Sequence, residues 1–168
     1  MRVLYYSRTR KPALEKRWRL TWVGLDDLLE QADFVSLHAP LTPETRHLIG
    51  RRELDIMKPE AILINTSRGG LLDQAALYQA LRDKRIAGAA LDVTEVEPIS
   101  GKDQLLRLEN VIITPHIGSA SVATRTRMAL LAVDNLLTAL KGHVPRQTVN
   151  REIAPAWRKA YATRIALP

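Results

Sequence analysis

Cysteine is absent from the 168 residues, which excludes disulfides, thiolate metal sites and cysteine nucleophiles. Aromatics are scarce, with a single Phe, so the core must come from Leu, Ile, Val and Ala. No apolar run is long enough to span a bilayer and the start lacks a secretory pattern, so a cytoplasmic location is expected, with no membrane partner. Repeats and low-complexity stretches are missing too. Acid does not balance base: 25 Lys and Arg face 18 Asp and Glu, a net charge of +7, which raises the question of a polyanionic partner. The basic residues are scattered, however, and neither paired zinc ligands nor an aromatic RNA-binding stretch accompanies them. A basic, solvated surface is therefore preferred, and neither nucleic acid nor a bound metal is expected.

What is present suits one well-filled domain, since 46% of residues are hydrophobic. Short apolar runs at 2–6, 33–38, 61–66, 86–93 and 110–115 read as strands. Several are apolar at successive positions, as strands buried on both faces of a parallel sheet should be. Helical patterns lie between them at 25–31, 51–57 and 73–84, with Pro59 stopping the second and Asp73 capping the third. A longer helix is expected from about Ser121 to Lys141, with Met128, Leu131, Leu136 and Leu140 near one face and Gly142 as terminator. The tail from 151 reads as a short helix with a stripe of Trp157, Tyr161 and Ile165. Such strand–helix alternation argues for an α/β fold with a parallel sheet and right-handed crossovers.

Ligands of an open parallel sheet bind outside the carboxyl ends of its strands. That rule selects Arg68, after the strand at 61–66, Asp92 and Glu97, after the next strand, and His116, after the last. An arginine can grip a carboxylate in a bidentate fork and polarise an adjacent carbonyl. A histidine can pass a proton to or from an alcohol oxygen, and an acid in contact with it would stabilise the imidazolium. This set suits interconversion of 2-oxo and 2-hydroxy acids, with hydride supplied by a cofactor. Taken singly, each residue is as readily explained by a surface, turn or structural role.

The stretches "DFVSLHAPLTPETRHLI" (33–49), "MKPEAILINTSRGGLLDQAAL" (57–77), "AGAALDVTEVEP" (87–98) and "LENVIITPHIGSAS" (108–121) resemble the D-isomer-specific 2-hydroxyacid dehydrogenases, the family of glyoxylate/hydroxypyruvate reductases. With their links they cover residues 1 to about 150, a partial dinucleotide-binding domain followed by the tail at 151–168. The resemblance implies an oxidoreductase that moves a hydride between NADP(H) or NAD(H) and a small 2-oxo acid. It implies that Arg68 binds substrate, that His116 is the general acid/base and that Glu97 pairs with it. It further implies that Asp92 lies near the nicotinamide carboxamide, that Thr66 and Ser67 belong to the cofactor-binding strand end, and that His38 and Pro40 line the cofactor side.

The first strand runs into Ser7, Arg8, Arg10 and Lys11. In the family's dinucleotide fold this place meets the adenosine ribose, where an acid accepts a 2′-hydroxyl and an arginine accommodates a 2′-phosphate. Ser7, Arg8 and Arg10 are thus read as cofactor-binding, and NADP is expected in preference to NAD. Against the family pattern, none of the eight glycines forms a G-x-G-x-x-G loop. The expected architecture is an incomplete doubly wound, Rossmann-like sheet lacking its first strand and glycine-rich loop, with Met1 standing where a longer ancestral chain had an internal methionine. The segments at 2–7 and 33–38 must then pair directly with the strand at 61–66, leave an open edge, or recruit a homo-oligomer or complementing chain. The alternative function is a catalytically inactive remnant or a protein-interaction module.

Overall fold

The computed structural model of the protein describes residues 1–165. In chain order it contains β1 (Val3–Tyr5), α1 (Pro12–Trp18), β2 (Leu20–Trp22), α2 (Leu25–Gln31), β3 (Phe34–Leu37), α3 (Arg51–Ile56), β4 (Ile62–Asn65), α4 (Gln74–Arg82), β5 (Gly88–Leu91), β6 (Val111–Ile113), α5 (Val122–Leu140) and α6 (Ala154–Ile165). Every strand pair is parallel. The strands form two sheets, β1–β2 and β3–β4–β5–β6. The segment at 33–38 therefore does pair directly with the strand at 61–66, whereas the one at 2–7 does not. It pairs instead with β2, which the apolar pattern had not revealed. Among the described residues β1 and β3 each keep one edge without a hydrogen-bonded neighbour.

Register places the chemistry. Leu37 lies opposite Asn65, Asn65 opposite Leu91, and Leu91 opposite Ile113. The four strands of the larger sheet end level, so the loops after them leave one common rim.

The core sits on one face of this sheet. Val35, Leu37 and Leu63 point into it and meet Leu54, Leu77 and Leu81 from the helices, all 6% exposed or less. Each fully buried side chain of this kind contributes roughly 1.5–3 kcal/mol. The expectation of strands buried on both faces holds for β5 but not for β3, where buried Val35 and Leu37 alternate with exposed Phe34 and Ser36. The physical reason is a cover of core helices on only one side of β3.

Helix ends follow side-chain chemistry. Asp73 caps α4 by accepting from the Ala76 amide at 2.9 Å. Glu53 reaches back to accept from the Gly50 amide at the start of α3, at 3.1 Å.

The chain separates into two compact units, Met1–Gly118 and Ser119–Pro168. In the second unit Ser121 caps α5 by accepting from the Thr124 amide. Gly142, at φ +77°, ends it in the left-handed region. The apolar face expected on α5 is present but uncovered, for the helix has no buried residue. Trp157 and Tyr161 stack at 5.3 Å, and the Tyr161 hydroxyl donates to the Leu140 carbonyl. The Ile165 side chain, third in the expected stripe, lies outside the described residues. Among the described residues no helix is long and apolar enough to cross a membrane.

Candidate active site

The rim is organised by two buried polar residues. Asn65, the last residue of β4, is fully buried. Its amide nitrogen donates to the Arg68 carbonyl at 2.9 Å, and its amide oxygen accepts from the Ser67 amide at 3.0 Å. It thereby folds the turn that presents Arg68. The Ser67 hydroxyl also donates to the Ala39 carbonyl at 2.7 Å, tying this turn to the loop after β3. Gly69 follows because nothing larger fits: a β-carbon there would lie 1.9 Å from the Thr94 carbonyl oxygen.

Asp92, just past β5, is 8% exposed. One oxygen accepts from the Thr114 hydroxyl at 2.6 Å and the Ile117 amide at 2.8 Å, the other from the Gly118 amide at 2.8 Å. These bonds hold its carboxyl below the usual carboxylate range, the Thr114 hydroxyl contributing most. They also clamp the loop that carries His116, whose backbone sits at φ +53°, an uncommon conformation for a side-chain-bearing residue.

The outcome is a pair. His116 Nδ1 lies 2.8 Å from Glu97 Oε2. The second Glu97 oxygen accepts from the Thr94 amide at 3.2 Å. The His116 hydrogen bond is the chief cause holding the Glu97 carboxyl below its ordinary value, and the Arg68 charge acts in the same direction. An ionised carboxylate only accepts, so Nδ1 carries the hydrogen and Nε2 is left for another partner. Arg68, Glu97, His116 and Asp92 are thus brought together at one rim.

The remaining residues named from the sequence are placed more loosely. His38 is exposed, its Nε2 2.9 Å from the Ser36 hydroxyl. Pro40 is exposed, and its carbonyl accepts from the Thr45 hydroxyl. Thr66 is exposed at the end of β4. At the tip of β1 the Ser7 hydroxyl donates to the Thr9 carbonyl. Arg10 is taken up in a fork with Glu15, with contacts of 2.8 to 3.1 Å. Arg8 makes no hydrogen bond or ion pair among the described residues. Its charge is felt by Glu44, whose carboxyl is lowered first by Thr42 and further by Arg8.

A family model, the NAD binding domain of the D-isomer specific 2-hydroxyacid dehydrogenases, matches residues 1–118. This chain belongs to that family. A glyoxylate reductase from Korarchaeum cryptofilum (strain OPF8) is 52% identical over 153 residues, 91% of this chain and 46% of the relative. Among solved structures, the NAD complexed form of a D-isomer specific 2-hydroxyacid dehydrogenase from Lactobacillus delbrueckii ssp. bulgaricus superposes with a TM-score of 0.78 at 37% identity, covering 89% of this chain and 49% of that one. An NADPH-dependent glyoxylate/hydroxypyruvate reductase from Sinorhizobium meliloti, in complex with NADP and malonate, gives a TM-score of 0.75 at 37% identity, covering 82% and 42%. The chain spans about half the length of the relatives it matches.

Its residues fit one part of a nicotinamide dinucleotide. The Arg68 guanidinium donates to the Ser67 carbonyl at 2.6 Å and acts on Glu97 through its charge, while His116 Nε2 has no hydrogen-bond partner among the described residues. None of the eight glycines in its sequence forms a G-x-G-x-x-G turn, whose backbone amides would hold a pyrophosphate. Asn65, Thr94 and Thr114 were not singled out from the sequence. Asn65 had a readable signal, an amide side chain immediately before a Ser-Arg-Gly-Gly turn.

Proposed function

We propose that this dehydrogenase chain carries the hydride-transfer side of a reductase for small 2-oxo acids such as glyoxylate or hydroxypyruvate, using NADP(H) in preference to NAD(H). The observation that supports it most is the His116–Glu97 pair standing beside the Arg68 charge. Arg68 takes the substrate carboxylate and orients the carbonyl. The bound nicotinamide supplies or accepts the hydride. As the carbonyl carbon gains the hydride, its π pair moves onto oxygen, which takes the proton from His116 Nε2. The product is a 2-hydroxy acid. Glu97, holding Nδ1, keeps the ring oriented and stabilises the charged imidazolium before the transfer. Thr66, Ser67, His38, Pro40 and Asp92 would border the nicotinamide end.

The NADP preference rests on the β1 tip, which has no acid at Ser7 or Arg8 to repel a 2′-phosphate. With Arg10 engaged by Glu15, Arg8 is the residue that would carry that contact. Nicotinamide fluorescence of the purified chain, titrated with NADPH and then NADH, tests the reading. Saturable binding, tighter for NADPH, is expected, followed by glyoxylate-dependent oxidation of NADPH that His116→Ala and Arg68→Ala abolish. A chain that binds neither nucleotide would overturn it.

A further inference from the structure

A second histidine–carboxylate contact lies two residues from the first. His47 Nε2 is 2.5 Å from Glu95 Oε1, and Arg46 stands farther from the same oxygen, at 3.9 Å. His47 sits at φ +52°, so the chain accepts an uncommon backbone conformation at this position. That segment is anchored. The His47 amide donates to the Gly70 carbonyl, the Ile49 amide to the Leu71 carbonyl, and the Asp73 amide to the Ile49 carbonyl, at 2.9 to 3.1 Å. His47 thus reaches Glu95 from a segment that is hydrogen-bonded to the strip of chain following Arg68.

Glu95 belongs to the turn from Thr94 to Glu97. The Glu95 amide donates to the Gln74 side-chain oxygen at 3.1 Å, and Gln74 donates in turn to Asp103 at 2.9 Å. Inside the turn the Thr94 hydroxyl donates to the Val96 carbonyl, and the Thr94 amide to Glu97. Gln74 therefore fixes the turn by its backbone, and His47 fixes it by a side chain. Among the described residues Glu97, exposed at the end of the same turn, has only the Thr94 amide as a hydrogen-bond partner apart from His116 itself.

We propose that His47 is a positioning residue, which by gripping Glu95 sets the turn that presents Glu97 to His116 Nδ1. This rests on the reading of Glu97 and His116 as a working pair. A charge-assisted contact of this length is among the stronger hydrogen bonds. It joins the Arg68 side of the rim to the Glu97 side, so the two halves of the site keep their spacing.

The test uses the intact chain with nitrogen-15-labelled histidine. Long-range proton–nitrogen correlation spectra read which ring nitrogen of His116 carries the hydrogen when the ring is neutral. Wild type is expected to favour Nδ1–H, and Glu97→Gln to lose that preference, which checks the pair itself. His47→Ala and Glu95→Gln are both expected to shift His116 towards the pattern of Glu97→Gln. His47→Gln, whose amide nitrogen can reach the same carboxylate, is expected to restore the wild-type pattern. A wild-type His116 pattern in either His47→Ala or Glu95→Gln overturns the inference, as does a His47→Gln spectrum no better than that of His47→Ala. An unchanged pattern in Glu97→Gln instead overturns the pairing on which the proposed function stands.

Discussion

Replacing Asn65 by Ala removes one side chain and strands one backbone group. The Ser67 amide loses its 3.0 Å acceptor, whereas the Arg68 carbonyl loses its 2.9 Å donor but keeps the Leu71 amide at 3.2 Å. A buried group left unpaired costs about 1–3 kcal/mol. The Ser67 amide lies near a rim that water reaches, so the lower end applies. Truncating a fully buried side chain between Leu37 and Leu91 adds a cavity cost of about 1 kcal/mol. The sum is about 2 kcal/mol, a sizeable share of the roughly 5–15 kcal/mol that holds a domain together. Urea unfolding followed by circular dichroism should show a midpoint lower by about 1 M for a slope near 2 kcal/mol/M, with the slope itself unchanged. Asn65→Asp sharpens the test. It keeps the acceptor for Ser67 but turns a carboxylate oxygen towards the Arg68 carbonyl, so a comparable loss is expected despite the unchanged size. Both variants lying within about 0.5 kcal/mol of wild type, the range of inert substitutions, would refute the account of how this turn is built.

Three further outcomes follow from the geometry. The Asp92 carboxyl has a lowered folded-state pKa, so the stability it lends is complete above its unfolded value of about 3.9 and is lost as pH falls through the lower folded value. Acid unfolding of Asp92→Asn should accordingly be flatter than wild type in that window, and parallel curves would contradict this. Gly69→Ala forces a β-carbon onto the Thr94 backbone, so calorimetry should show destabilisation of about 1–3 kcal/mol or more. Arg8→Glu should raise the dissociation constant for NADPH about tenfold, the equivalent of one lost charged hydrogen bond. Its effect on NADH should be small, and Arg10→Ala should matter less, because Glu15 already occupies that guanidinium.

The sequence showed the larger sheet plainly because its strands are apolar runs bounded by turn residues. Of the helices between them, α4 showed its capping acid, Asp73. The α1–β2 stretch was not readable in this way. Pro12–Trp18 buries no residue, carries charge at Glu15, Lys16 and Arg17, and leads into a strand of three residues, so neither hydrophobic period can develop. Arg68, Glu97 and His116 could be chosen because each follows a strand, but the contact between His116 and Glu97 was implied only by the family resemblance and not by their spacing. It depends on Asp92 bending one loop and on Thr94 bending the other, and nothing in the spacing of 19 residues reveals either bend. The grip of Glu15 on Arg10 was equally hidden, since an acid five residues away can as well face solvent.

The unpaired edges of β1 and β3 set a limit on how crowded this molecule tolerates its own kind. Each is a row of amides and carbonyls on which a neighbour could hydrogen-bond, and Phe34 at the β3 edge is 63% exposed. What holds copies apart is the surplus of seven positive charges. That repulsion reaches only about 10 Å at 0.1 M salt and about 3 Å at 1 M. Added salt therefore weakens the guard while leaving the edges in place.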